Sequence, residues 1–398
     1  MSFFLFKNKP SLSFVFNIRD TSISLAAVRF ETDKKPEIIL CQSFELKQQD
    51  SKYYKEYLSS MLGVLDEAVV SIRKGLVKIG NKEKIGHYYF FVGSPWSVSE
   101  AKTVKITRDK MFEINNKMLG QIIIEEESVI ERNLEEKTLK QTWKVLEEKI
   151  IQAKINGYKI DNFYGKKTTN LTIELFTSFV PTELKERLSF YLDAKASRSI
   201  KRHNNSCILS SYSFFRDLYL EKNDFIYVDI GKLITDVYVV RDDIVFGIAS
   251  FPFGEENIIQ ASLLRTNLSR DIFMSHISIG KDSKYELISH NNVEDLLKMG
   301  FDIWEEKLKD SLLKICTEMN IPNNMFVITN SEITNLLIRN LSIKEKNKQL
   351  QIMRSKIKLS HIYEHVLNNF VSNGKDFANE PYIKMDIIFL NKVLAGKQ

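Results

Sequence analysis

Phe225-Ile226-Tyr227-Val228-Asp229-Ile230-Gly231-Lys232-Leu233-Ile234-Thr235-Asp236-Val237-Tyr238-Val239-Val240, continued by Arg241-Asp242-Asp243-Ile244-Val245-Phe246-Gly247-Ile248-Ala249-Ser250-Phe251-Pro252-Phe253-Gly254, decides the fold of this 398-residue chain. β-Branched and aromatic residues fill three short runs, and turn residues bound each of them. The segment therefore reads as three strands joined by tight turns at Asp229-Ile230-Gly231 and Arg241-Asp242-Asp243. A carboxylate beside a glycine at such a turn can bring backbone close to phosphate oxygens and a hydrated Mg²⁺.

An earlier stretch, Phe14-Val15-Phe16-Asn17-Ile18-Arg19-Asp20-Thr21-Ser22-Ile23-Ser24-Leu25-Ala26-Ala27-Val28, repeats the outline without that chemistry. Strand–turn–strand openings in both halves of the chain predict a pseudo-duplicated α/β protein with a cleft between two lobes.

These two segments resemble the first and second phosphate loops of the actin-like ATPase superfamily, in its PilM-like and FtsA-like branch. Ser250-Phe251-Pro252-Phe253-Gly254 resembles the strand and glycine that follow the second loop there. Gly93-Ser94-Pro95-Trp96-Ser97-Val98-Ser99 is similar to the Ser-Pro-Trp stretch of some PilM-like proteins. The resemblance implies an α/β, two-lobed actin-like (ribonuclease H-like) fold with an inserted small α/β subdomain. The expected layout is a first lobe over 1–84, the insert over 85–195, a return to the first lobe over 196–222, and a second lobe over 223–398.

The coarse reading along the chain agrees with that layout. Strands are expected at 12–18, 22–31 and 37–46, and a helix from about 51 to 79 whose apolar positions recur near 3.6 residues. Gly80-Asn81 ends it. Within the insert, strands are expected at 87–93 and 101–107, a helix over 113–130, and further strands up to the alternating run 171–180. Pro181 opens a helix to about 194. In the second lobe, Asn291 or Asn292 caps a long helix to about 319, Asn320 and Pro322 stop it, and the strand Met325–Thr329 precedes a helix from about 333.

The resemblance also implies ATP and Mg²⁺ as ligands. In the second loop the family pattern falls on Asp229 near the metal, Gly231 for close backbone approach and Thr235 facing phosphates, with Lys232 beside them. Lys232, Leu233 and Ile234 are bulky where the family has small residues, and Asp229 can instead cap its own turn. In the first loop, Asn17 stands where an aspartate is expected and offers no anionic oxygen to a hydrated Mg²⁺. Arg19 holds the glycine position, where it can contact a phosphate or close the loop. The adenosine turn is glycine-rich in the family; here it is Thr329-Asn330-Ser331-Glu332, and Asn330 or Ser331 also suits a helix cap. With 15 glycines in the chain, phosphate-cradling backbone is scarce. The expectation is weak or lost ATP binding.

Composition narrows the function classes. Hydrophobic residues make up 43% and charged residues 27%, as in globular proteins. No apolar run approaches the roughly 18 residues of a membrane span, and no secretory signal is legible, so a cytoplasmic chain is expected. Cys41, Cys207 and Cys316 are too far apart for a metal-ligand motif and are expected to be reduced and buried. A net charge of +6 permits attraction to an acidic partner or membrane surface without requiring nucleic acid. Residues 1–11 combine aromatics with lysines and read as a tail or a membrane contact. The basic run 339–358 reads as a solvated helix face. His361-Ile362-Tyr363-Glu364-His365 fits the H-x-x-E-H form, which on a helix would place both histidines on one face; a plain surface helix is the simpler reading.

The resemblance supports two functions. One is a PilM-like scaffold of a type IV pilus assembly platform, bound to the cytoplasmic tail of an inner-membrane protein, with self-association an option and no nucleic acid involved. The other is a divergent FtsA-like ATPase tethering division filaments to the membrane. The segment Met385–Leu394 has few basic residues and would make a poor membrane helix, which favours the first.

Overall fold

The computed structural model describes residues 12–46, 54–138, 141–195, 200–219, 224–264, 266, 268–281, 290–317, 321–329, 333–346, 351–352, 355–361, 364–373 and 380–396. The chain divides into two compact units, Met1–Leu220 with Tyr363–Gln398, and Glu221–Ile362.

In the first unit, β1 (Leu12–Ile18), β2 (Ser22–Arg29) and β3 (Glu37–Glu45) form an antiparallel meander. α1 (Tyr54–Lys78) lies across β2 and β3 and buries Leu58, Met61, Leu65 and Ile72, the stripe expected from helical spacing. It stops where Gly80 takes φ of 73° and the Asn81 N–H turns back to the Leu76 carbonyl. β4 (Ile85–Val92) then runs parallel to β1.

The chain next leaves this sheet. β5 (Val98–Glu113), α2 (Asn116–Lys137), β6 (Trp143–Ile155), β7 (Tyr158–Lys159) and β8 (Lys167–Pro181) build a separate antiparallel sheet in the order β5-β8-β6-β7. α2, capped by the Asn115 side chain, covers one face of it through Leu119, Ile130 and Leu134. α3 (Thr182–Lys195) follows, and Leu184 and Leu188 join the core beneath α1. β9 (Lys201–Ser206) returns to the first sheet beside β4 and leads into α4 (Cys207–Leu218).

The second unit repeats the theme. β10 (Phe225–Ile230), β11 (Thr235–Arg241) and β12 (Ile244–Phe251) are an antiparallel meander. The helices α5 (Glu255–Leu263), α6 (Arg270–Lys281) and α7 (His290–Ile315) precede β13 (Asn324–Thr329), which is parallel to β10. α8 (Thr334–Lys346), the short pair β14 (Gln351–Ile352) and β15 (Ser355–Lys356), and β16 (Lys358–His361) complete it. Trp304, Leu308 and Leu312 of α7 fill the core against Val228, Val237 and Val239. The remaining chain, α9 (Glu364–Asn368), β17 (Ser372–Asn373) and α10 (Pro381–Leu394), belongs to the first unit. The orders β3-β2-β1-β4-β9 and β12-β11-β10-β13-β16 are the same topology twice.

Four expectations need correction. β4 was expected in the insert over 85–195, but Tyr88, Phe90 and Val92 complete the core of the central sheet, so the insert starts at β5. The second lobe was expected over 223–398. Its unit ends at Ile362, because α10 is buried from Tyr382 to Leu390 and packs on α4 and β1 of the first unit. The basic run 339–358 is not one solvated helix: α8 ends at Lys346, and Lys344 pairs with Asp302 and Glu305 of α7. The two histidines of the H-x-x-E-H form do not share a helix, since His361 closes β16 while His365 stands in α9. Among the described residues no group of three or more His, Cys, Asp or Glu is placed to hold a metal. The three cysteines are buried thiols in no disulfide.

Candidate functional site

Loop two spans 231–234 between β10 and β11; Asp229 and Ile230, read as turn residues, are the last residues of the strand. Its backbone closes on itself, with the Gly231 N–H donating to the Ile234 carbonyl at 2.9 Å. The carbonyls of Gly231 and Lys232 accept the first N–H groups of α5, from Glu255 at 3.0 Å and Glu256 at 2.8 Å. A helix N-terminus is a ready-made anion site, but here loop-two carbonyls take these donors. Gly254 makes the seating tight. A Cβ there would lie 2.4 Å from the Gly231 carbonyl oxygen and 2.7 Å from Leu233 N and Lys232 C.

Asp229 is buried and Lys232 is half-buried beside Glu256, whose carboxyl is held low chiefly by Arg270 and Gln260 against the opposing cost of burial. Thr235 was expected to turn its hydroxyl toward phosphates. The hydroxyl points into the core instead: Oγ1 donates to the Phe253 carbonyl at 2.7 Å and accepts from Trp304 Nε1 at 3.1 Å. A donor and an acceptor inside one unit satisfy it.

Loop one, residues 19–21, is braced by the Ser-Pro-Trp stretch. Gly93 N–H donates to the Ile18 carbonyl at 2.9 Å, and Trp96 Nε1 to the Arg19 carbonyl at 2.7 Å. The Trp96 ring stacks on Tyr57 at 4.6 Å, and the Tyr57 hydroxyl donates to the Asp20 carbonyl. Asn17, near the end of β1, and Arg19, in the loop, meet α10 through their side chains. Asn17 is 3% exposed, and its Nδ2 donates to Asp386 Oδ2 at 2.6 Å. Ser210 Oγ of α4 donates to the other oxygen, Oδ1, at 2.5 Å. The Arg19 guanidinium lies 3.6 Å from the centroid of the Tyr382 ring. Nearby, burial raises the Glu380 carboxyl, against the lowering effect of Ser43, Ser24 and Arg19, and Lys384 Nζ donates to Asn368 Oδ1 at 2.7 Å.

Thus the carboxamide of Asn17 and the guanidinium of Arg19, both candidate ligand groups, are engaged by α10. Asn330 lies outside the described residues, as do Ser331 and Glu332.

No protein-family model matches the chain, and no curated protein matches it in sequence. Solved structures do match. A PilM–PilN type IV pilus biogenesis complex is 11% identical, covers 97% of this chain and 98% of its own, and superposes with a TM-score of 0.58. The chain has the actin-like ATPase fold. Two further matches lie lower: a Bacteroides thetaiotaomicron protein of actin-like ATPase fold and unknown function, 8% identical, covering 96% of each chain with a TM-score of 0.41, and the ethanolamine utilization protein EutJ from Carboxydothermus hydrogenoformans, 10% identical, covering 96% of this chain and 90% of its own with a TM-score of 0.42.

On this actin-like frame, sequence reading found the loops and missed what holds them. Asp386, Ser210, Tyr382 and Trp304 were not singled out as site residues. One signal existed: Asp386 is a lone carboxylate inside Met385-Asp386-Ile387-Ile388-Phe389-Leu390, and a charge within an apolar helical run needs a buried partner.

The insert is tied to the end of β9 by a second, half-buried carboxylate. Glu147 of β6 accepts from Ser206 N–H at 2.8 Å and Ser206 Oγ at 3.0 Å. Burial pushes its carboxyl up to about 7, despite those two hydrogen bonds. A carboxyl raised in the folded state favours folding most when protonated, so its contribution is full below about pH 4 and lost as pH rises toward 7. Urea denaturation of the wild type is expected to show that decline, and Glu147→Gln is expected to flatten it.

Proposed function

We propose that this chain is an actin-fold scaffold of a pilus-type assembly platform, working at the inner face of the cell membrane and gripping the cytoplasmic tail of a membrane partner, with ATP binding weak or lost. The hydrogen bond from Asn17 to Asp386 carries the second half of this reading. It engages the loop-one side chain that would have to serve a hydrated Mg²⁺, and Asn17 has no anionic oxygen to give. Arg19 over Tyr382 and Thr235 between Phe253 and Trp304 support it in the same sense. The scaffold half is supported by the likeness to a PilM–PilN complex along nearly the whole of both chains. No helix among the described residues is long and apolar enough to cross a membrane.

Synthetic peptides matching the cytoplasmic tails of single-span proteins encoded beside this chain test the scaffold role. Micromolar binding of one such peptide, measured by fluorescence anisotropy, is expected. If no tail binds and the protein instead hydrolyses ATP, the scaffold reading is wrong.

A further inference from the structure

The far end of the inserted sheet gathers features that the scaffold reading does not use. Three segments meet there: the last turns of β5, the β6–β7 hairpin, and the loop 160–166 leading into β8. Register places them together, since Phe112 and Glu113 pair with Thr168 and Lys167, and Ile155 pairs with both Tyr158 and Leu171. Backbone bonds from Ile114 N–H to the Lys166 carbonyl at 2.9 Å and from Gly165 N–H to the Ile114 carbonyl at 2.8 Å fix the loop to β5.

Each segment exposes one large apolar or aromatic side chain at its tip. Met111 is 69% exposed, Tyr158 80% and Tyr164 50%. Around them stand exposed cations, Lys105, Arg108 and Lys110 on β5 and Lys159, Lys166 and Lys167 on the neighbouring segments. Asp109, Glu113 and Asp161 are the exposed carboxylates among them, so the end is net positive. The β5–β8 register slips between Thr107 and Phe112, so that Arg108–Met111 stand out from the ladder. Apolar and tyrosine side chains at turn tips, ringed by lysines, suit an interface where headgroups are anionic and acyl chains begin just below. Single-stranded nucleic acid fits less well. It favours aromatic platforms for successive bases, whereas Met111 is aliphatic and carboxylates are interleaved with the cations.

We propose that this end of the insert docks on an anionic lipid surface, with Met111, Tyr158 and Tyr164 entering the headgroup layer and the surrounding lysines and Arg108 neutralising lipid charge. The proposal is independent of the partner-tail reading, because it assigns the protein a membrane contact of its own.

Co-sedimentation of the full chain with phosphatidylcholine vesicles, with and without phosphatidylglycerol, tests it. Binding is expected only with the anionic lipid and should weaken with salt. Each basic residue near such a surface contributes roughly fivefold in partitioning. Lys105→Glu/Lys110→Glu/Lys167→Glu should therefore lose well over tenfold, and Met111→Ser/Tyr158→Ser should also weaken binding. Lys74→Glu/Lys78→Glu on the exposed face of α1 should not. All these positions are exposed except for stem contacts, and circular dichroism checks that each variant is folded. Absence of wild-type binding to anionic vesicles, binding that survives the triple reversal, equal loss in the α1 variant, or capture of single-stranded nucleic acid in place of vesicles would each overturn the proposal.

Discussion

Asn17→Asp is expected to destabilise the first unit by about 3–5 kcal/mol at pH 7, although it restores the carboxylate that the actin-like loop pattern calls for. The wild-type carboxamide donates to Asp386 at 2.6 Å inside a site where both residues are almost fully buried. An aspartate there would set two buried carboxylates against each other at hydrogen-bond distance. Such a pair holds on to a proton, so the folded state would bind more protons than the unfolded chain above about pH 4. Stability of the variant is then expected to fall as pH rises from there, opposite in sign to an ordinary salt-bridged carboxylate. The exchanged double variant Asn17→Asp/Asp386→Asn rebuilds one donor and one acceptor. It is expected to return to within about 1 kcal/mol of the wild type. Urea denaturation of the four proteins as a double-mutant cycle measures the coupling. Additive losses in the cycle would mean that the two side chains do not meet.

The second large effect is expected from Gly254→Ala. The new Cβ would meet three backbone atoms of loop two, the nearest at 2.4 Å. Backbone cannot rotate aside as a flexible side chain can, so loop two or α5 must shift. Either movement breaks the bonds from Glu255 and Glu256 N–H to the Gly231 and Lys232 carbonyls. A loss of about 3 kcal/mol is expected from the overlap and the broken cap together. The urea midpoint should drop with the slope unchanged. A variant as stable as the wild type would show that α5 is not seated on loop two.

The two meanders were legible because their signal is local. β1 with β2 and β10 with β11 are runs of β-branched and aromatic residues broken by short polar turns, and their register follows from the turns. α1 and α7 were legible from apolar periodicity over many turns. The function of α10 was not legible for the opposite reason. Asn17 and Asp386 are 369 residues apart, and no local pattern announces a contact of that separation. The same holds for Thr235 with Trp304 and for Glu147 with Ser206, where the decisive partner comes from another element. The sequence did show Asn17 and Arg19 standing where the loop pattern has Asp and Gly. It did not show that a helix from the other end of the chain holds what stands in their place. The basic run 339–358 misled because charge count does not reveal that Lys344 is tied to α7 or that the helix ends at Lys346.

Asn17 and Arg19 are engaged by α10, and the proposed function requires that they do not serve a nucleotide. Titration calorimetry of the wild-type protein with Mg-ATP tests it most directly. No binding tighter than millimolar is the predicted result, with Asp229→Ala and Gly231→Val behaving like the wild type. Micromolar binding that disappears in both variants would contradict it.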